Sequence, residues 1–112
     1  MKEIEYDKIV RDNIPRMITE DGSICDIQVV SDDIAFGYLC KKLDEEISEF
    51  EDACNEKEMI EELADIIEVA LAIAENMGKK EELKRAIEEK RERNGAFKNN
   101  FILKKVYKRE DK

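Results

Sequence analysis

Five acids stand out for their spacing: Glu45, Glu46 and Glu49 in the stretch EEISE, then Glu62 and Asp65 in ELAD. Residues three apart on a helix lie one turn apart on the same flank. Glu46 with Glu49 and Glu62 with Asp65 are two such pairs. Two helices facing each other along these flanks converge four carboxylates on one point. A hard divalent cation such as Mg²⁺ takes oxygen ligands of this kind and keeps positions for water and phosphate. Asp65 itself has three readings from helix geometry: a solvent-facing acid, a partner for Lys or Arg from the following helix, or a metal ligand with Glu46, Glu49 and Glu62.

The surrounding charge pattern sharpens the question. From Asp44 to Glu68 there are twelve acids and a single base, Lys57. A solvated, salt-bridged helix face interleaves bases three or four residues from its acids, and this one does not. Each exposed like-charge pair costs only about 0.2–0.5 kcal/mol, whereas one buried unpaired carboxylate costs several. Asp65 lies inside EELADIIEVALAIAENM, the most apolar long stretch of the chain, and is the strongest clue.

The elements that position these acids are helices. The spacing predicts a first long helix from the capping cluster SDD at 31–33 to about Asn55, with Phe36, Leu39, Cys40, Leu43, Ile47, Phe50 and Cys54 as its core stripe. Glu46 falls just beside that stripe, Glu49 a little further round, and Glu45 nearly opposite the core. A second helix runs from about Lys57 to Met77, closed by Gly78, and a third from Lys79 to about Asn94, closed by Gly95. Short connections favour antiparallel neighbours, so the expected fold is an all-α antiparallel helical bundle in one domain spanning 1–112, with its helical core at about 32–95. The segment RDNIPRMITEDG reads as a short helix with Pro15 in its first turn. ICDIQVV and FILKKVY have strand-like patterns, so the terminal segments can add a small two-stranded sheet.

On the second long helix, Leu63, Ile66, Ile67, Ala70 and Ala74 mark the expected core face, while Glu62, Asp65, Val69 and Ile73 lie along a different side. Both faces of its C-terminal half are apolar. Three short helices do not bury two sides of one of them, which points to a homo-oligomer, most simply a dimer. The alternative is that the third helix and the terminal strands cover the second face within one chain.

Composition narrows the class. With 112 residues, 42% of them hydrophobic, the chain suits a single small domain. Asp and Glu outnumber Lys and Arg by 29 to 20, giving a formal net charge of −9. That balance argues against nucleic acid or an anionic membrane surface as partner. There is no histidine, which excludes histidine-based triads and histidine-ligated zinc, and any metal sits on oxygen. The three cysteines, Cys25, Cys40 and Cys54, form no CxxC pair and read as small core residues in a reducing compartment. The N-terminus MKEIEYDKIV lacks a signal-peptide core and no apolar run approaches membrane-spanning length, so the cytoplasm is the expected location.

The pattern of EEISE followed by ELAD resembles the EExxE…ExxD signature of the MazG-like, all-α nucleoside triphosphate pyrophosphohydrolases. The flanks YDKIVRDNIP and KRERNGAFKNNFILKKV resemble a subgroup labelled phosphoribosyl-ATP pyrophosphohydrolase-like. Asn13 stands where that subgroup has Lys, which removes a phosphate contact, and Ala96 stands where Gly is common. The resemblance implies a Mg²⁺-dependent enzyme, with Mn²⁺ as a substitute, that cleaves a nucleoside triphosphate between the α and β phosphates. It implies Glu46, Glu49, Glu62 and Asp65 as metal ligands and Glu45 as the acid that orients the attacking water or holds a further metal. The helix count points Glu45 away from the core, so that role requires a site at a subunit interface. Lys8, Arg11, Lys90, Arg93 and Lys98 are the implied substrate-binding cations, each equally readable as a solvated base. Tyr6, Phe97 and Phe101 read as packing residues before they read as base-stacking ones. Two rival functions stand beside this one: a phosphoribosyl-ATP pyrophosphohydrolase of histidine biosynthesis, and a non-catalytic helical interaction or regulatory module.

Overall fold

The computed structural model describes residues 2–110 and contains four helices: α1 (Ile14–Glu20), α2 (Asp32–Glu51), α3 (Glu56–Asn76) and α4 (Lys80–Asn94). No strand occurs among the described residues, and the fold is all-α. The chain groups into two compact units, the first ending at Lys80 and the second beginning at Glu81.

In the first unit, α2 and α3 pack on each other as a hairpin. Both starts are capped by side chains. Ser31 accepts from the Ile34 amide at 3.4 Å and Asn55 accepts from the Glu58 amide at 2.9 Å. Glu58 in turn accepts from the Cys54 amide at 2.9 Å, a reciprocal arrangement close to a capping box. Asn55 is therefore the cap of α3 rather than the end of α2, and α2 stops at Glu51 with Asp52 as its C-cap. This shortens the helix expected to reach Asn55, because an Asn that satisfies the free amides of one helix does not also extend its predecessor. At the other end of α3, Gly78 (φ 70°) closes the helix. Its amide donates to Glu75 and the Lys79 amide donates to Ala74, a Schellman arrangement.

The core is thin: Leu39, Val69, Ala74 and, among charged groups, Glu46. The facing of α3 departs from expectation. Glu62, Asp65 and Ile73 are half-buried and Val69 is buried, whereas Leu63 and Ile67, expected inside, are 40% and 60% exposed. Of the face expected inside, Ala74 is buried and Ile66 and Ala70 are half-buried, so the inward side of α3 takes in the acid-bearing flank and part of the expected one.

The cysteines are corrected as well. Cys40 and Cys54 are exposed, the latter because it falls in the loop after α2, and Cys25 is half-buried. Residues 24–30 and 101–107 form no ladder, so the small sheet is absent among the described residues. β-branched, alternating sequence fits a pleated, half-buried surface without creating one, and a two-stranded ribbon is marginal by itself. In the second unit α4 carries i,i+3 ion pairs, Lys84 to Glu81 and Arg85 to Glu82, each at 3.6 Å. No described helix is long and apolar enough to cross a membrane.

Candidate metal centre

Among the described residues the acids form two groups that share Glu46, and Glu49 is not in the group with Glu62 and Asp65. Glu46 on α2 joins Glu62 and Asp65 on α3, with one carboxylate oxygen of each within 4.8 Å of the others. Glu45, Glu46 and Glu49 form a second group of the same dimension. Glu46 belongs to both and is 4% exposed.

Three cations border the acids. The Arg11 guanidinium donates to Asp65 Oδ1 at 2.6 Å. Lys42 Nζ lies 3.3 Å from both Glu45 and Glu46, and Lys8 Nζ lies 3.6 Å from Glu45. Asp65 thus meets a base, but from the N-terminal segment rather than from the helix that follows α3. Asp7 accepts from the Tyr38 hydroxyl at 2.7 Å and ties that segment to α2.

The compensation is incomplete. Glu46 Oε2 and Glu62 Oε2 are buried and have no hydrogen-bond partner. An unpartnered buried carboxylate oxygen is costly, and native proteins leave few. A donor set of oxygen alone, with two such orphaned oxygens inside it, fits a hard divalent cation. Glu62 is pushed up to about 7, first by the adjoining Glu46 carboxylate, then by burial and by Glu49. Glu49 is also raised, by burial and then by Glu46. Burial alone would lower Lys42, but the Glu45 and Glu46 carboxylates outweigh it and hold the ammonium above its ordinary value.

A pH dependence follows. A carboxyl whose folded pKa is raised stabilises the fold fully below its unfolded value, and that contribution is lost as pH rises through the folded value. With Glu62 near 7, the metal-free protein is expected to melt at a higher temperature at pH 5.5 than at pH 8.5, and saturating Mg²⁺ is expected to raise the alkaline Tm most. Melting curves in EDTA across that range check this, and a Tm that climbs with pH would contradict it.

Glu45 does not need a subunit interface to reach the acids: it is half-buried and within the group formed with Glu46 and Glu49. Lys8 and Arg11 are both at the cluster. Lys90 and Arg93 lie on α4 and Lys98 beyond it, in the second unit, each exposed. Lys42 escapes a reading that counts acids from Asp44 onward. Its positions three and four residues before Glu45 and Glu46 were the available signal.

No curated protein and no solved structure matches the chain. The profile of the phosphoribosyl-ATP pyrophosphohydrolase family matches residues 16–94, which is more than half of the sequence and includes all five acids. The chain belongs to the phosphoribosyl-ATP pyrophosphohydrolase family, within the MazG-like pyrophosphohydrolases of nucleotide-like substrates.

Proposed function

We propose that this protein is a Mg²⁺-dependent hydrolase that cleaves the α–β phosphoanhydride of a nucleoside triphosphate to a monophosphate and pyrophosphate, with Mn²⁺ able to replace Mg²⁺. The observation that carries the reading is the buried Glu46, shared by two acid groups, with its own Oε2 and that of Glu62 left without hydrogen-bond partners. Glu46, Glu49, Glu62 and Asp65 hold the divalent cation. When bound, that cation neutralises phosphate charge and positions the phosphoanhydride for in-line attack. Glu45, at the rim of the cluster, accepts a hydrogen bond from the attacking water and orients it. Lys8, Arg11 and Lys42, already beside the acids, supply cationic donors to the polyphosphate. For Lys90, Arg93 and Lys98 the support is the family resemblance alone.

A second copy of the chain is part of this reading. Ile60, Leu63 and Ile67 lie on the outward side of α3 and are 66%, 40% and 60% exposed. A row of aliphatic side chains at this spacing suits an isologous helix contact.

A second substrate has its own support, because the matching family is described by phosphoribosyl-ATP. One assay separates the two. The purified protein is incubated with Mg²⁺ and a panel of canonical and modified NTPs and dNTPs, and separately with phosphoribosyl-ATP, with pyrophosphate and orthophosphate measured independently. Pyrophosphate from the NTP panel, stopped by EDTA, is the expected result. Release from phosphoribosyl-ATP alone would transfer the reading to that substrate.

A further inference from the structure

The N-terminal segment, α1 and residues 23–27 line a groove of about 980 Å³ that reaches Lys42, Glu46 and Asp65. This is the upper end of the range for small-molecule sites. Its lining combines two chemistries: Arg11, Lys42, Glu46 and Asp65 from the charged cluster, and the half-buried Val10, Ile14, Ile18 and Cys25. Ile14 and Ile18, four apart on α1, share one face of that helix. The Cys25 thiol approaches the Pro15 carbonyl oxygen at 3.8 Å and ties the returning segment to the first turn of α1. The family profile begins at residue 16, so much of this wall precedes the matched region.

We propose that the apolar part of the groove's lining is a nucleoside subsite, in which the base and sugar of a nucleoside 5′-polyphosphate lie against Val10, Ile14 and Ile18 while the phosphates reach Arg11, Lys42 and the acid cluster. The proposal rests on the pyrophosphohydrolase reading above and adds where the uncharged part of the substrate binds. That the aliphatic and the charged residues line one groove is what joins the two parts. Aliphatic contact gives a base-bearing ligand an advantage over a bare polyphosphate, which has nothing to place there.

Cys25 reports occupancy of this wall, and the exposed Cys40 and Cys54 serve as internal controls. Maleimide labelling of each cysteine is followed by mass spectrometry in Mg²⁺, with the α,β-methylene analogues of a purine and a pyrimidine nucleoside triphosphate, or with inorganic tripolyphosphate. At ten times the dissociation constant the analogue leaves about one-tenth of the sites free, so Cys25 labelling is expected to slow about tenfold. Cys40, Cys54 and the tripolyphosphate samples are expected to show no slowing. Ile18→Ala is expected to weaken the analogue about tenfold and leave tripolyphosphate affinity unchanged. If analogue and tripolyphosphate both raise the Tm but Cys25 labels at its original rate, the subsite is overturned and the pyrophosphohydrolase reading stands. Equal protection by tripolyphosphate would overturn it too, since closure rather than base contact would then shield the thiol. If neither ligand changes the Tm and no nucleotide is cleaved, both proposals fall.

Discussion

Glu46→Gln is expected to lower metal-dependent pyrophosphate release by at least about a thousandfold while the helical circular dichroism stays intact. Among the described residues, Glu46 is the acid common to both carboxylate groups and the charged residue that is buried. Gln keeps its shape and removes the charge. Lys42 retains Glu45 as an ion-pair partner in the variant. The metal-free variant is therefore expected to melt no lower than the wild type at pH 8, and its Tm is expected to stop responding to Mn²⁺. That combination separates a ligand from a structural carboxylate. Parallel loss of activity and helicity would make Glu46 a packing residue, and an active variant would remove it from the site.

The second large effect concerns assembly. The wild-type protein is expected to run as a dimer or larger species by light scattering, and the double substitution Leu63→Glu with Ile67→Glu is expected to give a monomer. Both side chains are on the outward face of α3, away from the acid cluster. In a two-fold contact each substitution acts twice, so the dimer dissociation constant is expected to rise at least about a hundredfold. The Tm of the wild type should depend on protein concentration and that of the variant should not. A wild type that is monomeric at high concentration would refute this use of the face.

These expectations rest on a facing that periodicity did not determine. Counting along α3 separates Leu63, Ile66, Ile67, Ala70 and Ala74 from Glu62, Asp65, Val69 and Ile73, but it assigns an inside only when one side is polar. Here both are largely apolar, and the more aliphatic one was expected within the chain. The structure turns Glu62, Asp65 and Val69 inward together with Ala74, keeps Ile66 and Ala70 half-buried, and leaves Leu63 and Ile67 exposed. The same facing leaves Asp65 half-buried beside Glu46, with Arg11 against it.

Local chemistry was legible from residues alone. The i,i+3 acid pairs, the N-cap at Ser31, the C-terminal glycines of α3 and α4 and Pro15 in the first turn of α1 are short-range features, and each depends on neighbours within one or two turns. The end of α2 was misjudged because Asn55 was credited to the wrong helix, and a cap is recognised only once the following helix start is known. The possible small sheet does not form among the described residues, because strand propensity reports on a surface that has to exist first.

The all-α class, the presence of two acidic pairs one turn apart and the oxygen-only character of any metal site were therefore determined by sequence, since helix geometry and side-chain chemistry are local. Only tertiary structure decided which side of α3 meets α2, that Glu46 is buried with an unpartnered oxygen, and that Arg11 and Lys8 stand against the acids. Those outcomes depend on contacts between residues distant in the chain, as with Arg11 and Asp65, which no periodicity within a single helix encodes.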